Sequence, residues 1–325
     1  MERTMRMVRF DRVGDPGEVL ACVDAPVPDP APGQVRVRIT ARPVNPSDLL
    51  FVRGRYGRRP ALPSPVGFEA VGVVETAGEG GGPPPGTRVA VDAFGTWQDQ
   101  VVTEPGGLTV VPDDISDETA CQLMINPATA LLLLRLARLR PGQWLALNAA
   151  ASAVGRGVIS LAAREGVRCL ALVRDRRHTA LLESLGAVVI DDSPAAVPES
   201  AERLPGSGAA VALDAVGGAA TTRLARCLSD GGRLICYGML AEDPAVVPVE
   251  DLVFRSVQVS GFWLPEHLRK LTAAQRAELG DEVIAAVRSG AVATDVAARF
   301  PLSDVRDAVQ QAARPGRTGK VLLVS

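Results

Sequence analysis

The sequence has few of the side chains that bind metal ions. Its 325 residues include only two histidines, His178 and His267, and five scattered cysteines with no Cys-x-x-Cys pair. Metal-dependent hydrolysis and zinc-assisted alcohol oxidation need clustered ligands of these types. Neither histidine lies near a nucleophile-elbow pattern, which also argues against a Ser-His-Asp system. The sequence therefore predicts an active site without metal.

The chain also lacks a charge excess and long hydrophobic runs. Its 35 basic and 37 acidic residues leave a formal charge of −2, so neither nucleic acid nor a membrane surface is an expected partner. The apolar stretch 128–134 is far shorter than the roughly 20 residues of a spanning helix. Arg3, Arg6 and Arg9 interrupt the N-terminal apolar residues, unlike a signal peptide. Together with the odd number of cysteines, these features predict a soluble cytoplasmic protein.

The pattern of apolar residues changes near Asp117. Before it, the period-two alternation of residues 35–40 and short apolar runs bounded by Gly and Pro predict a β-rich domain. After it, candidate strands alternate with helical stretches, which is typical of a parallel sheet covered by helices. The predicted strands are residues 144–148, 169–173, 210–214, 233–237 and 256–260, followed by a terminal helix at 302–313 and a strand at 320–324. The fold class is α/β.

A small-residue turn, Ala149 to Gly157, follows the first strand of the second domain. Small side chains at a strand-to-helix turn let backbone amides approach a pyrophosphate, and the helix N-terminus favours negative charge. An alanine-rich turn can equally reflect tight packing. The turn alone does not separate these alternatives.

The next strand ends in Arg174-Asp175-Arg176-Arg177, and Arg174 lies 19 positions beyond Gly155. This is where the ribose of a dinucleotide is expected. Guanidinium groups suit a 2′-phosphate and therefore favour NADPH, whereas Asp175 could serve the 2′-hydroxyl of NAD. A solvated charge cluster is the remaining alternative.

Tyrosine is scarce, with only Tyr56 and Tyr237. Tyr56 lies in a loop between two glycines, Gly54 and Gly57. A phenol on such a loop can protonate a substrate or polarise a carbonyl. A tyrosine that only packs against a small cluster is the alternative, and from the residues alone both stay open.

Taken together, these residues resemble the zinc-free 2-enoyl thioester reductases of the medium-chain dehydrogenase/reductase superfamily. The resemblance runs nearly end to end. The matching motifs are, in chain order, Asn45-Pro-Ser-Asp48, Gly54-Arg-Tyr-Gly57, Asn126-Pro-Ala-Thr-Ala130, the turn from Asn148 to Gly155, Arg174-Asp-Arg176, Tyr237-Gly-Met239, Gly261-Phe-Trp-Leu264 and the strand that begins at Lys320.

The resemblance implies a role for each matching residue. Tyr56 is implied as the catalytic acid, and Phe68 stands where zinc-dependent relatives carry the histidine of Gly-His-Glu. Arg55 is either solvated or meets an acidic group of the substrate. The implied NADPH contacts are Asn126, Ala151, Ser152, Ala153, Val154, Arg174, Asp175, Arg176, Tyr237, Gly238, Met239, Leu240, Phe262, Trp263, Leu264 and Lys320.

The implied fold is a GroES-like catalytic domain, residues 1–118 with the C-terminal strip 289–325, and a Rossmann NADPH-binding domain, residues 119–288. Strand 256–260 is the expected contact of a homodimer. The implied reaction is reduction of the C2=C3 bond of an enoyl thioester on coenzyme A or an acyl carrier protein. A quinone or enone oxidoreductase is an alternative. A non-catalytic NADPH-binding scaffold is another, since Ala150 and Ala151 replace polar family residues.

Overall fold

The computed structural model describes residues 3–78, 81–197, 204 and 208–325. These ranges form two compact units. Unit 1 comprises Met1–Ile125, Ala273–Arg288 and Thr294–Ser325, and unit 2 comprises Asn126–Thr272 and Ser289–Ala293. The units differ from the predicted domains at residues 119–125 and 273–293, and the predicted boundaries stay a prediction.

Strands and helices alternate along the described chain. The strands are β1 (Thr4–Phe10), β2 (Ala21–Pro26), β3 (Val35–Pro43), β4 (Ser64–Pro65), β5 (Glu69–Ala77), β6 (Arg88–Asp92), β7 (Gln100–Thr103), β8 (Leu108–Val110), β9 (Trp144–Leu147), β10 (Arg168–Val173), β11 (Ala187–Asp191), β12 (Ala209–Asp214), β13 (Leu228–Cys236), β14 (Gln258–Gly261), β15 (Val296–Pro301) and β16 (Lys320–Val324). The α-helices are Pro16–Val19, Pro46–Val52, Asp117–Ala120, Asn126–Ala137, Ala153–Arg164, Thr179–Ser184, Gly218–Arg226, Val249–Val253, Leu264–Arg269, Ala273–Arg288 and Val305–Ala313.

Unit 1 is built on two sheets. The larger has the order β15-β16-β3-β5-β6-β8, with β7 also paired to β3, and the smaller has the order β2-β1-β4. Their pairs are antiparallel except β15 with β16. The strand predicted at 35–40 is confirmed as part of β3, whose alternation places Val35, Val37 and Ile39 in the core. Burying each such side chain contributes about 1.5–3 kcal/mol.

Unit 2 contains a six-stranded sheet with the order β11-β10-β9-β12-β13-β14. Every pair in it is parallel. In chain order this is 3-2-1-4-5-6, the strand order of a dinucleotide-binding Rossmann sheet. The interior strands are almost continuously apolar because helices cover both faces of such sheets. The parallel sheet predicted from the sequence is confirmed.

The predicted elements agree with the structure to within a few residues, and in the sheet of unit 2 one strand is missing from the prediction. The five predicted strands correspond to β9, β10, β12, β13 and β14, and the last predicted strand is β16. The predicted terminal helix starts as a 3₁₀ turn at Leu302–Asp304 and continues as Val305–Ala313. Strand β11 is absent from the prediction, although its sequence Ala-Val-Val-Ile-Asp is strand-like. None of the helices in the described ranges is both long and apolar enough to span a membrane.

Candidate functional site

The two central strands of the unit 2 sheet are joined by side chains at their carboxyl ends. Asn148 follows β9 and Asp214 ends the adjacent β12. Asn148 Nδ2 donates to Asp214 Oδ1 at 2.6 Å, and the Ala215 N–H donates to Asn148 Oδ1 at 2.8 Å. The strand order reverses between these two strands, which is where such sheets bind ligands. The bridge therefore fixes the floor of the candidate nucleotide crevice.

Asp214 is fully buried, and donors surround its carboxylate. Besides Asn148, its oxygens accept from the Val216 and Gly217 N–H groups at 2.9 and 3.2 Å and from Thr221 Oγ1 at 2.5 Å. A buried carboxylate needs such bonds to offset its lost hydration. The carboxylate of Asp214 thus hydrogen-bonds to side chains and backbone groups at the end of the sheet, and it is not positioned as an acid or base. The local sequence pattern does not reveal the Asn148–Asp214 pair, because its members lie far apart in the chain.

The small-residue turn closes tightly onto the start of helix Ala153–Arg164. Ala149 has a φ of 46°, and Ser152 caps the helix by accepting from the Gly155 N–H at 3.1 Å. A Cβ on Gly155 would lie 2.6 Å from the Ala150 carbonyl oxygen. This close packing accounts for the glycine at this position. The helix N-terminus still offers backbone donors for a phosphate at Ala153 and Val154.

A second loop lies against the end of β12. The Leu240 N–H donates to the Ala215 carbonyl at 3.0 Å, and a Cβ on Gly238 would lie 2.8 Å from the same oxygen. The Tyr237 hydroxyl is buried, and burial raises the pKa of this phenol, as does the charge of Asp214, while the Ser152 side chain lowers it. Tyr237 therefore stays protonated at neutral pH. Predicted contacts Ser152 and Tyr237–Leu240 come together here, with Met239 half-buried and Leu240 exposed.

The Arg-Asp-Arg-Arg segment after β10 is exposed, and its side chains differ in their contacts. Arg176 Nε donates to Asp191 Oδ1 at 2.8 Å, and Arg177 Nε donates to Asp175 Oδ1 at 3.0 Å. Arg174 makes no hydrogen bond or ion pair within the described part of the chain. Its guanidinium is therefore the one of the three without a carboxylate partner among the described residues.

The Gly-Phe-Trp-Leu motif follows the edge strand β14. Phe262 is buried and stacks on His267 with ring centroids 4.3 Å apart, and its N–H donates to the Cys236 carbonyl at 2.8 Å. Trp263 is 41% exposed and Leu264 is half-buried. Because β13 and β14 are parallel neighbours, this motif and the Tyr237 loop lie at the same edge of the sheet.

Tyr56 lies in unit 1, two residues beyond Gly54, whose φ is 69°. The tyrosine is half-buried, and its ring centroid lies 5.2 Å from that of Phe68. Phe68 in turn lies 5.5 Å from Phe51 and 5.8 Å from Phe94. The aromatic cluster, defined as Tyr56, Phe68, Phe51 and Phe94, fixes the plane of the phenol.

The backbone before Phe68 is tightly constrained. Gly67 has a φ of 101°, and a Cβ there would lie 2.4 Å from Thr96 Oγ1 and 2.9 Å from the Trp97 nitrogen. The side chain of Phe68 packs against Tyr56 and carries no metal-binding atom. In the described ranges, no group of three His, Cys, Asp or Glu side chains could hold a metal ion.

A buried polar network lies at the start of helix Pro46–Val52. Asn45 Nδ2 donates to Glu69 Oε1 at 2.7 Å, Asn45 Oδ1 accepts from Lys320 Nζ, and the Asn45 N–H donates to Asp48 Oδ2 at 2.7 Å. All four residues are at least nine-tenths buried. The structure thus places Lys320 in unit 1 with two carboxylates. Its predicted cofactor contact stays a prediction.

Glu69 also fixes the chain just before Asn126. Its Oε2 accepts from the Met124 and Ile125 N–H groups, both at 3.0 Å. Asn126 follows directly, is 9% exposed and begins helix Asn126–Ala137 in unit 2. The buried network therefore orders the backbone from which this predicted cofactor contact extends.

Burial controls ionisation in this network. It raises the pKa of Glu69 and lowers the pKa of Lys320, while their mutual attraction opposes both shifts. Burial also raises the pKa of Asp48 to about 8, although the Asn45 N–H opposes the shift. One ammonium faces two carboxylates, so Asp48 is the acid whose charge the network balances least. Its Oδ1 accepts no hydrogen bond from the described residues.

Comparisons with known proteins match both units. Residues 31–111 match the model of the alcohol dehydrogenase GroES-like domain, and residues 153–278 match the model of the zinc-binding dehydrogenase. The chain is 33% identical over 328 residues to the mitochondrial enoyl-[acyl-carrier-protein] reductase of Xenopus tropicalis. This alignment covers 97% of the chain and 94% of the relative.

Two solved structures have the same fold along the whole chain. A quinone oxidoreductase of Pseudomonas syringae is 28% identical with a TM-score of 0.90, and the alignment covers 99% of this chain and 100% of that one. A mycobacterial protein in complex with NADPH is 28% identical with a TM-score of 0.89 and the same coverage. The predicted GroES-like and Rossmann fold is therefore confirmed.

The raised pKa of Asp48 predicts how stability depends on pH. Between its ordinary value of 3.8 and about 8, the folded chain keeps a proton that the unfolded chain releases. The free energy of unfolding therefore falls as pH rises through this window. We expect Asp48→Asn to reduce the fall between pH 5 and pH 8 by about 2 kcal/mol, measured by urea unfolding. The exposed Asp113→Asn is the control. If the free energy of unfolding changes with pH equally in wild type and Asp48→Asn, the raised pKa of Asp48 is contradicted.

Proposed function

Because the chain belongs to the 2-enoyl thioester reductase family of the medium-chain dehydrogenase/reductase superfamily, we propose that it reduces the C2=C3 bond of a 2-enoyl thioester with NADPH. NADPH, when bound, would supply a hydride for the β-carbon. The α-carbon then takes a proton, so the reaction also consumes one proton. One observation carries this proposal. The chain is 33% identical, over 97% of its length, to an enoyl-[acyl-carrier-protein] reductase, and it contains the Tyr56 loop.

Tyr56 is proposed as the group that delivers this proton. It is half-buried, and the ring of Phe68 fixes its orientation. The chain has only one other tyrosine, Tyr237, and that hydroxyl is buried beside Asp214. With Phe68 in the ligand position, a phenol rather than a metal would stabilise charge that develops on the thioester.

The residues proposed to hold NADPH lie mostly along the carboxyl edge of the unit 2 sheet. The turn at residues 151–154 would bind the diphosphate through backbone N–H groups, and Arg174 would bind the 2′-phosphate. Asp175 and Arg176 would frame this site, although each already has a partner. Loops 237–240 and 262–264 would bind the remainder of the cofactor. Asn126 and Lys320 are proposed as further contacts.

Quinone reduction is the second candidate, because a quinone oxidoreductase shares the fold over the whole chain. A quinone is also a conjugated acceptor of hydride, so the same cofactor site would serve it. Unlike an enoyl thioester, a quinone has no acyl carrier to bind. A preference for 1,4-benzoquinone over crotonyl-CoA would select this alternative. NADPH binding without turnover of any alkene or quinone would select the non-catalytic scaffold.

A protein partner and a cellular location can also be proposed. An acyl carrier protein is proposed as a donor of substrate, which agrees with the name of the Xenopus relative. The cytoplasmic location stays a prediction, and that relative is named as mitochondrial. The five cysteines are free, which fits a reducing compartment.

A homodimer through β14 is also proposed. This strand is the edge of the sheet, and all four of its residues are exposed. Next to it, Phe254 is 82% exposed and Val253 62% exposed. An edge strand with unpaired backbone groups beside apolar side chains suits pairing with a second copy.

The role of Tyr56 can be tested by removing only its hydroxyl. We expect Tyr56→Phe to lower kcat for crotonyl-CoA reduction by about 100-fold, since general acid catalysis typically contributes at least that much. The ring packing on Phe68 is kept, so the thermal unfolding midpoint should not change. Oxidation of NADPH, followed by its absorbance, gives the rate. A variant with the full rate would remove Tyr56 from the mechanism.

The contacts of Arg174 predict its effect on cofactor choice. We expect Arg174→Ser to lower kcat/KM for NADPH by about 10- to 100-fold, because it removes a charge-assisted contact, and to leave the value for NADH unchanged. Arg177→Ser is the matched control, since its guanidinium already pairs with Asp175. An equal loss with both cofactors would argue against a 2′-phosphate contact.

Sedimentation tests the dimer. Val259→Lys places a charge on β14, and we expect it to convert the dimer into a monomer, because a buried unpaired charge is costly. Val188→Lys is the control, since Val188 is 49% exposed on β11 at the opposite edge of the same sheet. The proposal fails if both variants sediment alike.

A further inference from the structure

The loop that carries Tyr56 is strongly basic. Residues 53–59 contain four arginines, and the sequence has no acidic residue between Asp48 and Glu69. Those two carboxylates are buried and belong to the Asn45 network, so they do not neutralise the loop. A protein with a net charge of −2 thus carries a local positive surface beside its candidate acid.

The arginines of this loop are held in different ways. Arg53 lies 3.8 Å from Asp15, in an ion pair. Arg58 is exposed, and its guanidinium carbon lies 3.8 Å from the centroid of the Phe94 ring. Neither Arg58 nor the exposed Arg59 makes an ion pair with any carboxylate of the described residues. An aromatic ring holds a guanidinium without neutralising it, whereas a carboxylate would cancel its charge.

The stacked geometry leaves Arg58 suited to one kind of ligand. The guanidinium carbon lies over the Phe94 ring, and the N–H groups of a guanidinium lie in its own plane. This forked edge matches the oxygens of a phosphate. Phe94 also lies 5.8 Å from Phe68, which lies 5.2 Å from Tyr56. The guanidinium of Arg58 therefore contacts the aromatic cluster that also includes the proposed proton donor, Tyr56.

We propose that Arg58 binds the phosphate of the phosphopantetheine arm that carries the acyl thioester. The inference rests on the proposed function, because only a thioester substrate brings this phosphate to the site. Coenzyme A and an acyl carrier protein share the phosphopantetheine group, so one cation would serve both donors. A quinone has no such group. Arg58 is thus a specificity residue that favours carrier-bound acyl groups, while Tyr56 acts at the double bond.

Two substrates that differ by one phosphate test this assignment. They are crotonyl-pantetheine and crotonyl-4′-phosphopantetheine, each reduced by the NADPH-loaded enzyme. We expect Arg58→Gln to raise KM for the phosphorylated substrate about tenfold, because it removes a charge-assisted contact, and to leave KM for crotonyl-pantetheine unchanged. Arg58→Lys keeps the charge but lacks the forked N–H groups, so we expect a smaller rise in KM for the phosphorylated substrate. Arg140→Gln, an exposed arginine of unit 2, is the control for the change in net charge.

Crotonyl-CoA and a crotonyl-carrier protein are the two further substrates. The same rise in KM for both would support the shared phosphate. A rise with crotonyl-CoA alone would overturn the proposal, since it would place the contact on the nucleotide. Equal effects on crotonyl-pantetheine and its phosphorylated form would also overturn it. If no thioester is reduced, the proposed function fails. Calorimetry with crotonyl-4′-phosphopantetheine then still tests the phosphate contact, which predicts weaker binding to Arg58→Gln than to wild type.

Discussion

The bridge between Asn148 and Asp214 is the interaction on which the nucleotide-binding unit depends. It joins β9 to β12 where the strand order reverses, and Asp214 is fully buried with its carboxylate surrounded by donors. The turn after Asn148 and the loop after Ala215 both start from this bridge. Loop 237–240 packs against Ala215 through Gly238 and Leu240. A rigid floor of this kind pre-organises backbone N–H groups for a phosphate, which lowers the entropy lost on binding.

In unit 1, buried polar side chains are held by one another, as Asn45 holds Glu69 and Lys320. Phe68 turns the ligand position into part of an aromatic cluster that fixes Tyr56. Glu69, the next residue, points its carboxylate to Asn45 and to the backbone at Met124 and Ile125. Two neighbouring residues thus order the candidate acid and the chain before Asn126.

The arginines of this chain differ in their contacts. Some exposed arginines pair with carboxylates, as Arg176 does with Asp191 and Arg177 with Asp175. Such exposed pairs contribute little to stability. Arg174 and Arg58 have no carboxylate partner in the described ranges, and each lies beside a proposed ligand position. Composition alone hides this difference, since arginine is abundant throughout the sequence.

The sequence alone determined the two-part α/β fold, because strand alternation and buried apolar runs are local properties of the chain. It also marked Tyr56 and the Arg174–Arg176 segment as candidates, since both lie in short motifs with distinctive residues, and their roles stay predictions. It missed β11, although the valine and isoleucine residues of this segment are typical of a strand. Only the tertiary structure decided that Lys320 lies with Asn45 and Glu69, that Asn148 bridges to Asp214, and that Arg58 stacks on Phe94. These contacts join residues far apart in the chain, and their partners depend on sheet order and packing, which no local pattern encodes.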